Sequence, residues 1–292
     1  MHRFLKTIAS LALPLALSAQ SASVGELPLD TTALRPVTSA YTLQIGSSHL
    51  ADTYLSPVKF EGWHTAFQYE RMQAMKFSPD NWVMQLKAGV QLDLAEARRN
   101  VVADLWFVSL SFSWDMMRRW RNVFTPGLTL GIGPEVALDA GMVINRRNGN
   151  NPVSAKVSAT VGVTGYAAYN VKLWRLPVTL RYQASLPVTG CFFSPDYGEL
   201  YYEIYLGNHK GLAHCAWWGN YFSYDHQLTA DLHLGATSLR VGYAGSILST
   251  KVNHIVTNIF THAFVVGISG EWLSVNPRKR VSPHARMVSA LF

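Results

Sequence analysis

"VTLRYQASLPV", residues 178–188, alternates between apolar and polar side chains at almost every step. A period of two predicts a β-strand with one apolar face, carrying Leu180 and Tyr182, and one polar face, carrying Arg181 and Gln183. A soluble sheet buries its apolar face, whereas a membrane barrel turns that face to lipid and keeps polar groups in its lumen. The fold therefore depends on which of the two faces of this strand contacts water.

The same alternation recurs in about ten runs between residues 40 and 273, and several reach the roughly 9 to 11 residues that a tilted bilayer crossing needs. The polar positions hold mostly Ser, Thr, Gln and Gly, with one or two charges per strand. Only 15% of all residues are charged, against roughly 25% in soluble chains. Bulky rings mark the apolar parity, as is typical of membrane interfaces: Tyr41, Trp63, Trp106, Trp114, Tyr182 and Trp272.

These features predict an all-β protein, a closed antiparallel up-and-down transmembrane β-barrel of about ten strands. The stretches "GELYYEIYL" and "RMVSALF" raise the count to twelve if each adds a short strand. Closure is required because lipid offers no partner for the backbone groups of a free strand edge. A secreted soluble β-barrel is the alternative fold reading, and it predicts extraction without detergent.

Four segments are expected along the chain. Residues 1–22 have the basic start, apolar core and small-residue end of a secretory signal peptide. A periplasmic lead segment at 23–39, the outer-membrane barrel at 40–273 and a basic C-terminal tail or terminal short strand at 274–292 follow. The predicted location is the outer membrane of a Gram-negative envelope, with the long 189–225 segment outside and the short "GATS" turn inside.

The net charge of +7 is concentrated at the two ends of the chain. Basic residues of the leader and tail leave the body between residues 26 and 273 nearly neutral. Nucleic acid is therefore excluded as a partner, and the expected partners are the lipid bilayer and a small solute or surface ligand. The oligomeric state stays open. The basic residues in question are Arg3, Lys6, Arg278, Lys279, Arg280 and Arg286.

The polar parity of the strands collects charged residues that we expect to face the lumen. One reading makes them a solute-binding or ion-selective constriction. The favoured reading makes them a charge network that fills and rigidifies a narrow barrel. If "GATS" forms a two-residue hairpin, His233 lies opposite Arg240, with Asp231 nearby. The set comprises Glu70, Lys87, Asp93, Lys156, Arg181, Asp231, His233 and Arg240.

The long outer segment is rich in aromatic residues and poor in charge. Such rings stack on sugars or anchor protein contacts, or they fold inward as a lid or lie at the membrane interface, and the structural reading is slightly favoured. The binding candidates are Tyr197, Tyr201, Tyr202, Trp217 and Trp218.

Asp225 next to His226, with His209 and His214 nearby, raises the alternative of an outer-membrane hydrolase at the barrel mouth. Adjacent strand residues point to opposite faces, so the pair could meet only in a loop. No nucleophile motif accompanies it, and no catalytic residue is assigned.

Cys191 and Cys215 are the two cysteines of the chain. In an exported protein they form either one disulfide or two free thiols, and the sequence leaves both outcomes open. The histidines lack the spacing of a zinc site, so neither a metal nor a cofactor is expected.

The stretches "LRYQASLPVTGCFFSPDYGELYYEIYLGNHKG" and "LRVGYAGSILSTKVNHIVTNIFTHAFVVG" resemble a Bacteroidetes outer-membrane β-barrel family known as domain of unknown function 3316. The resemblance is densest from about residue 148 to residue 267. It implies a signal-bearing outer-membrane barrel and brings no catalytic residue with it. The predicted function is an integral outer-membrane barrel without catalytic activity, serving as a small-solute path, a surface-binding protein or an envelope scaffold.

Overall fold

The computed structural model describes residues 29–30, 33–97, 100–149, 151–235, 237–273, 280–281 and 285–291, so the predicted signal peptide at 1–22 lies outside the described residues. The chain divides into two compact units. In the smaller unit, strand β1 (Leu29–Asp30) pairs in parallel with strand β13 (Arg280–Val281). The larger unit contains the sheet described below.

The larger unit is a closed antiparallel β-barrel in which each strand pairs with the next strand along the chain, apart from the closing pairs. Its strands are β2 (Val37–Asp52), β3 (Phe60–Ala74), β4 (Trp82–Ala97), β5 (Asn100–Arg121), β6 (Leu128–Asn145), β7 (Val153–Leu173), β8 (Leu176–Phe193), β10 (Tyr221–His233), β11 (Thr237–Val252) and β12 (Ile255–Trp272).

Two pairings close the ring. β12 pairs with β2 along almost its whole length, and β10 pairs with the first half of β8, from Leu232 opposite Val178 to Asp225 opposite Ser185. The short strand β9 (Ala213–Ala216) extends the second half of β8 above this closure. The predicted all-β class, antiparallel closure and ten-strand count are confirmed.

The wall of the barrel has its apolar face outside and its polar face inside. On β8, Leu180 is 42% exposed and its neighbour Arg181 is 2% exposed. On β7, Val157 and Val161 are exposed on the outer face, whereas Thr160, which points to the inner face, is buried. The alternation that opened the sequence analysis therefore has its oily face on the outer surface of the cylinder.

The two ends of the barrel differ. At the end where the chain enters β2 and leaves β12, here called the terminal end, the connections are short, spanning 75–81, 122–127, 174–175 and 234–236. The opposite end, here called the loop end, carries the connections 146–152 and 194–220. A type I′ turn joins β11 to β12 there, with positive φ at both Asn253 and His254.

Three local expectations were wrong. "GELYYEIYL" contains a helix, α1 (Tyr201–Tyr205), because the Glu203 side chain accepts a hydrogen bond from the Leu200 amide and starts a helical turn. The described part of "RMVSALF" makes a single bridge, Met287 to Leu34, so neither stretch adds a barrel strand. Around "GATS", Arg240 faces Asp231 and not His233.

Candidate functional site

The lumen is crossed near the terminal end by a layer of charged side chains, here called the floor. The Glu70 carboxylate on β3 accepts hydrogen bonds from Arg181 Nη1 and Nη2 on β8, at 2.5 and 2.6 Å. It also accepts a bond from Arg240 Nη1 on β11 at 2.6 Å. Arg240 in turn forms a two-pronged contact with Asp231, at 2.7 and 2.8 Å.

The floor is balanced in charge and buried. Its two carboxylates, Glu70 and Asp231, match its two guanidinium groups, Arg181 and Arg240, and all four side chains are buried. Amides complete the layer, because Gln85 donates to Glu70 at 2.9 Å and exchanges hydrogen bonds with Gln183. Paired, hydrogen-bonded charges of this kind are the arrangement in which burial of ions is tolerated.

Below the floor, the C-terminal segment 286–291 occupies the terminal end of the lumen. Ala290 and Leu291 are buried in one apolar cluster with Met72, Val83, Met117, Tyr166 and Ala168 from the barrel wall. Arg119 on β5 is 2% exposed and donates hydrogen bonds to the carbonyls of Ser289 and Ala290 at 2.6 and 2.5 Å. The same guanidinium donates to the Pro79 carbonyl at 2.9 Å, so it joins the segment to a turn of the barrel.

The loop end is covered by apolar side chains and by residues 194–212, here called the cap segment. Inward-facing side chains of β2 to β6 and β12 form a buried cluster that includes Leu50, Phe60, Leu105 and Ile255. Phe192 and Tyr221 form a second one on the other side.

Tyr54 fixes the cap segment to the barrel. Its phenol donates a hydrogen bond to the Glu199 carbonyl at 2.6 Å and accepts one from the Asn151 amide at 3.0 Å. Burial raises the pKa of Tyr54 above its usual value, with a further contribution from Tyr201. Asn253 also contacts the cap through the carbonyls of Ser194, Pro195 and Gly211.

Between floor and cap lies a cavity of about 250 Å³. Hydroxyls and amides line much of it, together with the carboxylates of Glu135, Asp139 and Asp225 and the ammonium groups of Lys87 and Lys156. Asp225 is inside the barrel yet exposed, because its side chain faces this space. Lys156 is engaged with Asp52 at 2.8 Å and with the Thr257 hydroxyl at 2.8 Å.

His64 lines the same cavity and is held by a buried carboxylate. Its Nδ1 atom lies 2.7 Å from Asp93 Oδ1, and the second carboxylate oxygen accepts a hydrogen bond from Gln91 at 2.8 Å. An ionised carboxylate only accepts, so Nδ1 carries a hydrogen, and in the neutral form of the ring Nε2 is then an acceptor. Nε2 is buried and has no hydrogen-bond partner among the described residues.

The predicted lumen residues thus fall into separate places. Glu70, Arg181, Asp231 and Arg240 meet in the floor, Lys87 stands opposite Glu70 in the β3–β4 register, and Asp93 and Lys156 belong to the cavity. His233 lies at the terminal end, where its ring contacts Thr179 and Ser238 at 2.8 and 2.7 Å.

The aromatic residues of the outer segment divide into two groups. Tyr201 is half-buried in the cap, and its hydroxyl accepts a hydrogen bond from the Ala155 amide at 2.6 Å. The other four, Tyr197, Tyr202, Trp217 and Trp218, have 57 to 66% of their surface exposed. Trp218 donates to the Pro187 carbonyl at 2.6 Å, on the outside of the wall.

The residues considered for hydrolysis are not assembled into a site. Asp225 points into the cavity, whereas His226, the next residue of β10, stacks with Tyr224 on the outer wall. His214 contacts Phe192 and the Ser194 carbonyl, and His209 is exposed in the cap segment. Strand geometry separates the Asp225 and His226 side chains, as neighbouring residues of a strand face opposite sides.

Cys191 and Cys215 are free and exposed, and they are direct partners across β8 and β9. In the same register Ser194 pairs with Leu212, and the Ser194 amide donates to the Leu212 carbonyl at 2.9 Å. Because hydrogen-bonded and non-hydrogen-bonded pairs alternate, the cysteines occupy a non-hydrogen-bonded pair, where Cα atoms are about 4.5 Å apart. That spacing lies within the range of disulfides, roughly 4.4 to 6.8 Å.

Several residues in or near the cavity were not among the lumen residues predicted from the sequence. Glu135 and Asp139 were missed because the alternation of their strand was followed only as far as Pro134; its continuation puts both on the inward parity. His64 was on the polar parity of its strand but was not included. Arg119 was treated as part of a solvated basic run, and the sequence carries no signal for its contacts with the C-terminal segment.

Within the described ranges, no helix has the length and apolar content needed to cross a membrane. The same part of the chain holds no group of three or more His, Cys, Asp or Glu side chains arranged for a metal ion.

Comparison with solved structures finds β-barrels at low sequence identity. The outer membrane protease OmpT from Escherichia coli is 7% identical, with 81% of this chain and 97% of that chain covered and a TM-score of 0.46. The translocator domain of the autotransporter NalP from Neisseria meningitidis is 13% identical, with coverage of 92% and 93% and a TM-score of 0.37. The COG4313 outer membrane channel from Pseudomonas putida F1 is 8% identical, with coverage of 87% and 100% and a TM-score of 0.33.

No curated protein matches the sequence significantly. A family model does match, and it spans residues 7–279, which includes every strand of the barrel. The family resemblance inferred from residues 148–267 is thereby extended over most of the chain. The chain belongs to the family described as "Protein of unknown function (DUF3316)".

Proposed function

We propose that the protein is an integral outer-membrane β-barrel without catalytic activity, whose lumen holds a solute instead of conducting continuously. The observation that carries the proposal is the exposure of large apolar side chains around a wall whose floor residues, Glu70, Arg181, Asp231 and Arg240, are buried. Soluble monomers rarely expose continuous apolar patches beyond a few hundred Å². The exposed set includes Leu43, Ile45, Leu110, Leu138, Val161, Leu180, Leu228, Phe264 and Ile268, which come from seven different strands.

Strand length supports the same location. The ten barrel strands contain 13 to 22 residues, whereas a tilted bilayer crossing takes about 9 to 11. The extra length allows the strands to extend beyond the hydrocarbon on at least one side. We place the loop end outside the cell and the terminal end in the periplasm, because barrels of this class keep short turns inside.

Export completes the proposal. The signal peptide at 1–22 delivers the chain across the inner membrane. The lead segment at 23–39 and the tail at 274–292 belong to the periplasmic side, where residues 286–291 enter the terminal end of the lumen. The source lies among the Bacteroidetes, as the family resemblance implies. The bilayer is then the main partner, with a small solute or surface ligand as the second.

Obstruction of the lumen favours solute binding or scaffolding over a permanently open path. The floor and the C-terminal segment occupy the terminal end, and the apolar clusters and cap segment cover the loop end. A cavity between them suits a bound solute. A permanent aqueous channel is typical of barrels with more strands, about 16 to 18.

Planar-bilayer recording of the purified full-length protein tests this proposal. We expect insertion from detergent with no steady conductance, and openings in a Glu70→Ala variant that lacks the centre of the floor. An Asp104→Asn variant, changed at an exposed ion pair with Arg146, should stay as silent as the wild type. A steady wild-type conductance would contradict the obstructed lumen, and extraction of the native protein from cells without detergent would contradict the membrane location.

A further inference from the structure

The cavity differs from the floor in its balance of charge. In the floor, two guanidinium groups neutralise two carboxylates. In and beside the cavity, the described residues include four carboxylates outside the ion pairs already given, while Lys87 supplies the positive charge that faces them. The four are Asp115, Glu135, Asp139 and Asp225.

The four carboxylates lie close together. Asp115 and Glu135 are direct partners across β5 and β6, and Asp139 interacts electrostatically with both Asp225 and Glu135. Like charges at directly opposed positions of a sheet repel each other. Carboxylates that share an enclosed cavity without a matching number of cations favour a positively charged guest.

Hydroxyl groups, rather than cations, solvate these carboxylates. Ser158 donates to Asp139 at 3.2 Å and Ser185 to Glu135 at 2.7 Å. Asp115 is completely buried and forms a side-chain hydrogen bond with Glu135, so one of these two carboxyl groups carries a hydrogen. Each carboxylate therefore retains lone pairs that a donor could fill.

His64 provides an observation independent of the acidic residues. It is 2% exposed and lines the cavity, its Nδ1 atom is taken by Asp93, and its buried Nε2 atom has no hydrogen-bond partner among the described residues. It lies on β3, whereas Asp139 and Asp225 lie on β6 and β10, so the acceptors come from different walls of the lumen. A guest with donors at both ends would satisfy them together.

Volume and coordination limit the guest further. A cavity of about 250 Å³ has the volume of about eight waters at roughly 30 Å³ each, which admits a chain of a few carbons. The described side chains do not form a metal-binding group. An organic cation fits this space better than a bare metal ion.

We propose that the cavity binds a small aliphatic diamine, with one ammonium group held by Asp139 and Asp225 and the other by His64 Nε2. This site rests on the proposed function, because it assumes a folded barrel with a lumen. It deepens that function by naming the class of solute.

Titration calorimetry of the full-length protein in detergent micelles tests the site with three probes of equal chain length. We expect 1,4-diaminobutane to bind with one-to-one stoichiometry, and 1,4-butanediol and succinate to give no binding heat. The protein is folded into micelles with and without the probe, so that slow entry past the cap segment cannot hide the site. Equal binding of the diol and the diamine, or no diamine binding in the millimolar range, overturns the proposal.

A double variant, Asp139→Asn with Asp225→Asn, removes two acceptor charges with little change in shape. Its diamine affinity should fall about tenfold or more, while Asp104→Asn, the same chemical change at an exposed site, should leave the affinity unchanged. Unaltered diamine affinity in the double variant contradicts the assignment.

Ala137 allows a test that does not depend on removing acids. It lines the cavity on β6, between Glu135 and Asp139 on the same face. Ala137→Lys should supply the missing ammonium group, abolish diamine binding and raise the thermal unfolding temperature. Ala137→Met fills similar space without charge and should not raise it; equal effects of the two variants would refute the role of charge.

Failure of the cavity proposal is distinguishable from failure of the membrane proposal. Barrel folding in micelles is read separately, from the β-type circular dichroism spectrum and the different gel mobility of unheated and boiled samples. A barrel that folds and needs detergent but does not bind the diamine would refute the cavity proposal and leave the membrane proposal standing.

Discussion

Glu70 and Arg240 are 170 positions apart in the chain, lie on strands β3 and β11, which do not pair, and meet at 2.6 Å inside the lumen. Two strands, β12 and β2, separate them along the wall. The ion pair therefore links non-adjacent strands, and Arg181 on β8 extends the link to a third part of the wall.

Removal of the Glu70 charge should destabilise the barrel strongly. Glu70→Gln leaves Arg181 and Arg240 buried with too little negative charge, and breaking a buried ion pair costs about 3 to 5 kcal/mol. Urea unfolding in micelles measures the loss in free energy of unfolding. Asp104→Asn, at a partly exposed pair, should cost less than about 1 kcal/mol. Equal costs for both variants would show that the floor is not a stabilising network.

Oxidation should join Cys191 to Cys215. Attack of one thiolate on oxidised glutathione gives a mixed disulfide and releases one reduced glutathione. Attack by the second thiol then releases another and leaves the intramolecular bond. We expect the product to lose both maleimide-reactive sites and two hydrogens in mass, whereas Cys191→Ser stops at the mixed disulfide. Persistent labelling of both thiols after oxidation would contradict the inferred pairing geometry.

Arg119 should hold the C-terminal segment inside the barrel. Arg119→Met removes donors to the Ser289 and Ala290 carbonyls but preserves an apolar stem, so the segment should detach while the wall stays folded. Carboxypeptidase digestion reads this directly: we expect slow trimming of the wild type and fast trimming of the variant. Arg286→Gln, altered at an exposed pair with Asp80, is the matched control. Equal trimming of all three proteins would refute the anchoring role.

Tyr54 should make the cap segment sensitive to alkali. Burial raises the pKa of its phenol in the folded protein, so its contribution to stability is complete below the unfolded value of about 10 and is lost as the pH rises from there through the folded pKa. The protection factors of residues 194–212, which correct hydrogen exchange for its base-catalysed chemical rate, should fall above about pH 10. Tyr54→Phe should have lower protection factors at neutral pH and lack this fall; an identical pH profile of the protection factors in the variant would contradict it.

The fold was predictable because its signal is local. Alternation in a stretch such as residues 178–188 gives the strand, and the scarcity of charge on the polar face indicates a lumen rather than a water-facing sheet. The exceptions have tertiary causes. Leu105 and Phe107 share the inward parity of Ser109 although they are apolar, because they cover the loop end, and their strand gives no reason for apolar residues on that face.

For the candidate site, the sequence predicted only which residues face the lumen. Alternation placed Glu70, Arg181 and Arg240 on the inward face, but their meeting depends on the curvature of the whole barrel. The pairing considered for Asp225 and His226 does not form, because neighbouring residues of a strand face opposite sides. The separation of a balanced floor from an acidic cavity follows from strand registers, which the sequence does not specify.

The most direct test of the central claim measures which environment surrounds two neighbouring residues of β5. Leu110 is 60% exposed on the outer wall, and Ser111 lines the cavity. In a Cys191→Ser, Cys215→Ser background reconstituted into liposomes, nitroxide labels at Leu110→Cys and Ser111→Cys are compared by spin resonance. We predict that the label at 110 collides frequently with oxygen and rarely with an aqueous nickel chelate, and that the label at 111 is shielded from lipid-dissolved oxygen. Free collision of the label at 110 with the nickel chelate would contradict a lipid-facing apolar wall.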